Sequence, residues 1–282
     1  MANTRTLYTD DVIMKALLSK NFSFVGGEYE DDSVTTLIRN FAFEGATNLS
    51  RLSLPYLTVV STCCLLNTSI ANLVLPWASI TEVGPDSFRA GLGSKTSLTL
   101  SACTSVGDGA FSYNASLQSI SLPAWTGTIK TDSRYTTTAG GIFRNCTGLT
   151  TVNLPEVLTL PGNTFRGCTS LETITLPKIT SLAGNTFNQC TGLRKIRLQS
   201  AGFSSITGGP FNGCTNLEAV IFSGITEVPT ISTVAFNSSG IASGKGYIYV
   251  PSALVDAVKA ATNWSAYQDI IRACEDYPSI VN

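Results

Sequence analysis

Phe165-Arg166-Gly167-Cys168-Thr169-Ser170-Leu171-Glu172-Thr173-Ile174-Thr175-Leu176-Pro177 decides the fold, because it returns. It comes back 22 residues later as Phe187-Asn188-Gln189-Cys190-Thr191-Gly192-Leu193-Arg194-Lys195-Ile196-Arg197-Leu198, and it stands 22 residues earlier from Phe143-Arg144-Asn145-Cys146 to Leu154-Pro155. A fixed period in the twenties is the mark of a solenoid, in which each repeat buries its apolar side only against its neighbours.

Outward from that core the same slot is read at Phe43, Cys64, Phe88, Phe111, Phe143, Phe165, Phe187, Phe211 and Phe236, at spacings of 21, 24, 23, 32, 22, 22, 24 and 25. Most repeats carry a full Leu-x-x-Leu-x-Leu segment, as in Leu171, Ile174 and Leu176 or Leu193, Ile196 and Leu198, while the third shows only Leu98 and Leu100 and the last only Ile248 and Val250. Alternation at period 2 predicts a strand with one face inward. Proline follows the strand at Pro55, Pro76, Pro123, Pro155 and Pro177, where a missing donor ends the ladder. A second apolar segment such as Ile179-Thr180-Ser181-Leu182 predicts a second short strand, so helix content in the coils should be low. The expectation is a β-rich solenoid of about nine coils with a parallel sheet, and helical segments mainly at the two caps.

Composition narrows the function. Of 282 residues only 13% are charged, the formal charge is −1, and 43% are hydrophobic. Disorder is excluded, and nucleic acid is not expected, since phosphate recognition needs concentrated Lys and Arg. There is no histidine, which removes the commonest general base, triad partner and metal ligand. Glycoside hydrolysis would need two facing carboxylates, which the strand faces do not offer. No apolar run approaches the ~20 residues of a membrane span, so no membrane insertion is expected. The chain is read as not an enzyme, with no cofactor and no metal.

Residues 1–33 precede the repeat. Thr9 or Asp10 caps an expected helix to about Lys20, and Gly26-Gly27 with Glu28-Tyr29-Glu30-Asp31-Asp32 reads as a loop. This segment is either a cap on the first coil or a docking segment for a larger assembly, such as other virion proteins. The solenoid spans 34–250. Residues 251–282 are expected as a helical cap, with Ser252 capping a helix over about 253–261 and a second helix over 265–273. Leu254, Val258, Trp264, Tyr267 and Ile271 form its apolar face and close an otherwise open sheet edge. The 32-residue spacing marks an insertion at about 125–141, beginning Trp125-Thr126-Gly127 and containing Arg134-Tyr135. An insertion in a repeat maps to a loop on one face, often a binding face.

The unit Phe-x-x-Cys-Thr-x-Leu-x-x-Ile-x-Leu-Pro resembles the BspA-like leucine-rich-repeat family over about residues 34–250. The closing Tyr249-Val250-Pro251-x-x-Leu254-Val255 and Ala261-Thr262-Asn263-Trp264 resemble the strand-helix terminus of many such chains from gut bacteria and their phages. The resemblance implies a non-enzymatic surface protein, often an adhesin for host proteins or other cells. Bacterial members usually carry an export signal and an anchor. The residues after Met1 do not read as a signal peptide. The expectation is therefore a virion component of a phage, on tail or capsid, used in host recognition or attachment. The alternatives are a structural decoration or adaptor protein, or a bacterial cell-surface adhesin.

Cys146, Cys168, Cys190 and Cys214 recur one coil apart at one angular slot. Zinc needs four ligands around a point, so this column reads as buried free thiols. Gly91-Leu92-Gly93-Ser94-Lys95-Thr96 is not a phosphate loop, because Ser94 stands where Gly must precede Lys. The outward strand positions say more. One column reads Arg51, Asn72, Ser97, Ser119, Thr151, Thr173, Lys195, Ala219, Tyr247; the other reads Ser53, Val74, Thr99, Ser121, Asn153, Thr175, Arg197, Ile221, Tyr249. Most of this face is short and neutral, but its C-terminal third turns basic and aromatic, as contact hot spots do. Lys195, Arg197, Ile221, Tyr247, Tyr249, Trp125, Arg134 and Tyr135 are the candidate binding surface for a protein or a cell-surface glycan. The competing reading has the two tyrosines packed beneath the terminal helices.

Overall fold

A computed structural model describes residues 5–7, 28–30, 35–38, 40–46, 50–68, 70, 72–132 and 140–281. Within them the chain is a parallel β-solenoid of about ten turns with few helices. Most turns place three or four residues on a main strand, turn near a proline, place a short second strand, and close through the segment that carries the phenylalanine.

The main strands run from Glu28–Glu30 through Arg51–Ser53, Asn72–Val74, Ser97–Thr99, Ser119–Ser121, Thr151–Asn153, Thr173–Leu176, Lys195–Leu198, Ala219–Ile221 and Tyr247–Val250 to Ile271–Ala273, in three hydrogen-bonded groups. All pairings are parallel, and within the repeats they keep the expected register: Thr173 faces Lys195, which faces Ala219, which faces Tyr247. The alternation is physical. In Thr173–Leu176, Ile174 and Leu176 are buried while Thr173 is exposed and Thr175 half-buried. The second strands make a six-stranded ladder from Arg5–Leu7 to Ile129–Lys130 and a three-stranded one from Ser181–Leu182 to Thr230–Ile231. The coil between them has no second strand, yet Leu158 N donates to Thr126 O and Thr180 N to Leu158 O, each at 2.9 Å, so the stacking continues.

The third side is a ladder of turns. Phe143 N donates to Thr164 O and Phe165 N to Thr186 O, both at 2.8 Å. In most coils the residues two before and two after the phenylalanine take positive φ, as at Asn163 (63°) and Gly167 (74°). That conformation favours Asn and Gly, which is why those types recur there. The same ladder corrects one alignment. Phe43 N donates to Cys64 O, and Cys63 and Asn67 have positive φ, so Leu65, not Cys64, occupies the phenylalanine slot of the second coil.

Through the interior runs a column of rings. Phe88, Phe111, Phe143, Phe165, Phe187, Phe211 and Phe236 stack in sequence, with centroids 5.4–5.9 Å apart and planes within 15°. Such offset pairs add about 0.5–1.5 kcal/mol each beyond burial. At the C-terminal end Tyr267 meets Phe236 edge-on at 5.1 Å, and Trp264 meets Phe222 edge-on at 5.8 Å. Trp264 is buried and donates its Nε1 to Pro229 O at 2.7 Å.

The four thiols expected as inert filling make hydrogen bonds. Cys146, Cys168, Cys190 and Cys214 each direct Sγ at the carbonyl of the preceding coil's phenylalanine (Phe111, Phe143, Phe165 and Phe187), at 2.9–3.2 Å. In the coil of Phe111 the slot holds Asn114, whose Nδ2 donates to Phe88 O at 2.8 Å. The column is thus a set of donors satisfying turn carbonyls. Among the described residues all eight cysteines are buried free thiols. Burial pushes Cys146 and Cys214 up to about 12, and Cys168 and Cys190 well above their ordinary value. The folded state therefore holds these protons more tightly than the unfolded chain. Their contribution is complete below about pH 9 and is lost as pH rises toward 12. We expect almost no labelling by a thiol reagent at pH 8 in the native protein, labelling of all eight in denaturant, and a melting temperature that falls from pH 8 to pH 10. Rapid native labelling at the four ladder cysteines would contradict this.

The ends depart from expectation. Glu28–Glu30, expected in a loop, is a strand paired with Arg51–Ser53, and Arg5–Leu7 pairs with Thr35–Ile38. The expected helix at about 10–20 lies outside the described residues. At the C-terminus a 3-10 turn at Ser252–Leu254 leads into a helix at Val255–Ala260. Ser252 does not cap that helix through its side chain; its N–H donates to Glu275 Oε2 at 2.9 Å. The expected second helix is a 3-10 segment, Ser265–Ile270, followed by the strand Ile271–Ala273, which adds to the main sheet beside Tyr247–Val250. An alternating Ile-Arg-Ala segment whose amides meet an unpaired strand edge gains a ladder there that a helix would forfeit.

Candidate functional site

The insertion and the C-terminal end of the main sheet are where the repeat is interrupted. At the insertion, Trp125 is fully buried, with Nε1 donating to Thr128 O at 2.8 Å. This corrects its reading as a binding residue: its ring fills the core at the base of the loop. Ile129–Lys130 pairs with Val106 and Gly107. Lys130 Nζ then reaches Glu82 at 2.6 Å, and Asp132 Oδ2 accepts from Asn40 Nδ2 at 2.8 Å and Thr62 Oγ1 at 2.9 Å. The described part of the insertion is a polar strap laid back across several coils, enclosing a groove of about 420 Å³. Arg134 and Tyr135 lie outside the described residues.

At the other end the chain folds over its own sheet. After Ile271–Ala273 a 3-10 turn at Cys274–Asp276 and a short helix at Pro278–Val281 cross the outward face. Cys274 and Val281 cover Ala219, Ile221 and Tyr249, forming a second, small core, with Ile280 against it. Lys195 Nζ donates to Ile280 O at 3.1 Å, and Arg197 Nε donates to Val281 O at 2.9 Å. Two cations thus meet the last carbonyls of this short helix, which have no intrahelical partner. Ile221 at 0% exposure and Tyr249 at 2% are therefore not surface residues, which corrects their reading as binding residues. Their outward-facing register is right, but the chain supplies its own cover. Lys195 and Arg197 remain half-buried beside it.

Beside that cover lies a groove of about 470 Å³. Its floor is Ala219, Tyr249 and Ile280, its aromatic walls are Tyr247 and Tyr277, and its rim carries Arg194, Lys195, Glu218 and Lys245. Tyr247 and Tyr277 stay 42% and 36% exposed. Tyr249 links them, edge-on to Tyr277 at 5.5 Å and to Tyr247 at 6.4 Å, and the Arg272 guanidinium lies 4.7 Å from the Tyr247 centroid. Burial pulls the Lys195 ammonium below its ordinary value; Arg197 adds to the shift and Glu218 opposes it.

Of the sequence candidates the structure brings Lys195, Tyr247 and Tyr249 to one groove. It also brings in residues that the sequence reading missed: Arg194, Glu218, Lys245, Tyr277 and Ile280. Arg194 and Glu218 flank the strands, and only their ion pair marks them. Tyr277 was hidden because the segment before it was expected to be helical. Along the middle of the face the side chains stay short and uncharged, and Asn153 Nδ2 bonds sideways to Ser121 Oγ at 2.8 Å. Among the described residues no group of three or more His, Cys, Asp or Glu could hold a metal, and no helix is long and apolar enough to cross a membrane.

A parallel β-solenoid with an aromatic groove at one end defines a repeat scaffold that presents a surface. The chain belongs to the BspA type leucine-rich-repeat family, whose repeat region matches in six copies over residues 30–139 and 136–252. No curated protein matches the sequence. Among solved structures it is similar to a leucine-rich cell surface protein of Faecalibacterium prausnitzii, at 18% identity and a TM-score of 0.42, covering 72% of this chain and 61% of that one. The chain thus spans about three fifths of that protein's length. It is also similar to a leucine-rich repeat protein of T. pallidum, at 19% identity and a TM-score of 0.42, covering 69% and 80%. A leucine-rich repeat protein of Bacteroides ovatus is similar at 16% identity and a TM-score of 0.31, covering 76% and 84%. Leucine-rich-repeat proteins in general bind proteins or surfaces.

Proposed function

We propose that the protein is a non-enzymatic binding protein that engages a protein partner through the groove at the C-terminal end of its main sheet. The observation that carries this reading is the meeting of two exposed tyrosines with an apolar floor and a basic rim, at the place where the repeat ends. Tyr and Arg are enriched in contact hot spots, and Tyr buries a large area at little rotamer cost while keeping a hydroxyl for hydrogen bonding. The mid-sheet face supplies short hydroxyls and no such anchor.

The test is selection of ligands on the intact protein, from a displayed peptide library and from a glycan array. Tyr247→Ser with Tyr277→Ser should weaken selected ligands by about 30-fold or more, the size of a hot-spot loss. Thr151→Lys on the mid-sheet face should leave them bound. Ligands indifferent to the tyrosines and lost on Thr151→Lys would overturn the reading.

A further inference from the structure

The groove has a charge of its own that the chain as a whole does not. The protein is near neutral at −1, yet three of the four charged side chains lining the groove are cations: Arg194, Lys195 and Lys245. The single carboxylate, Glu218, is taken up by Arg194. Lys195 is held by a carbonyl oxygen, which fixes its position without neutralising its charge. Lys245 stands exposed on the rim. Burial disfavours the Lys195 ammonium, and an arriving anion relieves that cost.

The chain's own C-terminal segment shows what kind of group this face accepts. It lies on the sheet with apolar side chains over Ile221 and Tyr249 and oxygen atoms on Lys195 and Arg197. A polypeptide with an apolar anchor and negatively polarised oxygens therefore already fits half of the surface. The groove beside it repeats those features, with Tyr247 and Tyr277 as apolar walls and Lys245 and Lys195 as the cationic side.

We propose that the segment held in the groove is an acidic peptide of a partner protein, with an aromatic or aliphatic anchor between the two tyrosines and carboxylates on Lys245 and Lys195. This rests on the groove reading above. A glycan is the weaker fit, because the floor is apolar and offers few groups to bond a ring of hydroxyls.

The test is a random linear peptide library selected on the full chain, on Lys245→Glu, and on the Tyr247→Ser, Tyr277→Ser pair, with a glycan array run alongside. Selected peptides should be enriched in Asp and Glu next to an aromatic or aliphatic residue. Their affinity should fall at least tenfold on Lys245→Glu at an unchanged melting temperature, and should weaken as salt is raised, because exposed charges are screened over about 8 Å at physiological ionic strength. Peptides that need the two tyrosines but show no acidic enrichment would overturn the charge assignment and leave the groove reading standing. Peptides that ignore the tyrosines would overturn the groove itself. Binding only to sialylated oligosaccharides would overturn the peptide in favour of an anionic glycan.

Discussion

Phe187→Ala is expected to cost about 3–5 kcal/mol, the range for truncating a fully buried aromatic to a cavity. The ring is fully buried and stacks on Phe165 at 5.4 Å and Phe211 at 5.9 Å, so its loss breaks two contacts of the column at once. The neighbouring coils cannot collapse into the gap, because Phe187 N and Cys190 Sγ are tied to Pro210 O and Phe165 O. In a solenoid each coil is held only by its two neighbours, so a weak coil in the middle also uncouples the two halves. Chemical denaturation should show a lower midpoint and a broader or divided transition. Leu158→Ala, at a side chain 45% exposed, is the control and should shift stability by no more than about 0.5 kcal/mol. Equal shifts for the two variants would contradict the aromatic column as the source of stability.

Ending the chain at Ala273 is the second large effect. It removes Cys274 and Val281 from Ile221 and Tyr249, and the carbonyls of Ile280 and Val281 from Lys195 and Arg197. Re-exposing a buried Ile costs about 1.5–3 kcal/mol, and the tyrosine adds to it. The solenoid itself should persist, since the ring column ends on Trp264 and Tyr267, which precede the cut. The expected result is a circular dichroism spectrum close to that of the full chain, a lower melting temperature, and new binding of a hydrophobic dye. A shortened chain with the same melting temperature and no dye binding would show that the segment does not cover the sheet.

The repeat was legible because inward residues recur at fixed spacing and must pack against copies of themselves. That placed Thr173, Lys195, Ala219 and Tyr247 in one column correctly. The Leu65 slot was misread because Cys64 and Leu65 are both apolar and buried, and only backbone hydrogen bonds and φ tell them apart. The groove was half legible. Strand register exposes Lys195, Arg197, Ile221 and Tyr249 to one face, but register cannot show that residues 274–281 return to cover it. That return depends on Ile271–Ala273 joining the sheet, and its short apolar pattern fits helix and strand equally. Trp125 failed for a related reason: a tryptophan at the mouth of an insertion looks like a ligand anchor until its ring is seen filling the core.

Division of labour between column and groove is the central claim: buried repeats hold the fold, and the aromatic end binds. The most direct measurement is the affinity of a selected peptide for the full chain and for the Tyr247→Ser, Tyr277→Ser pair, with melting temperature read on the same samples. The account predicts a loss of about 30-fold or more in affinity, with melting temperatures that agree within a few degrees. Unchanged affinity in a folded double variant would contradict it.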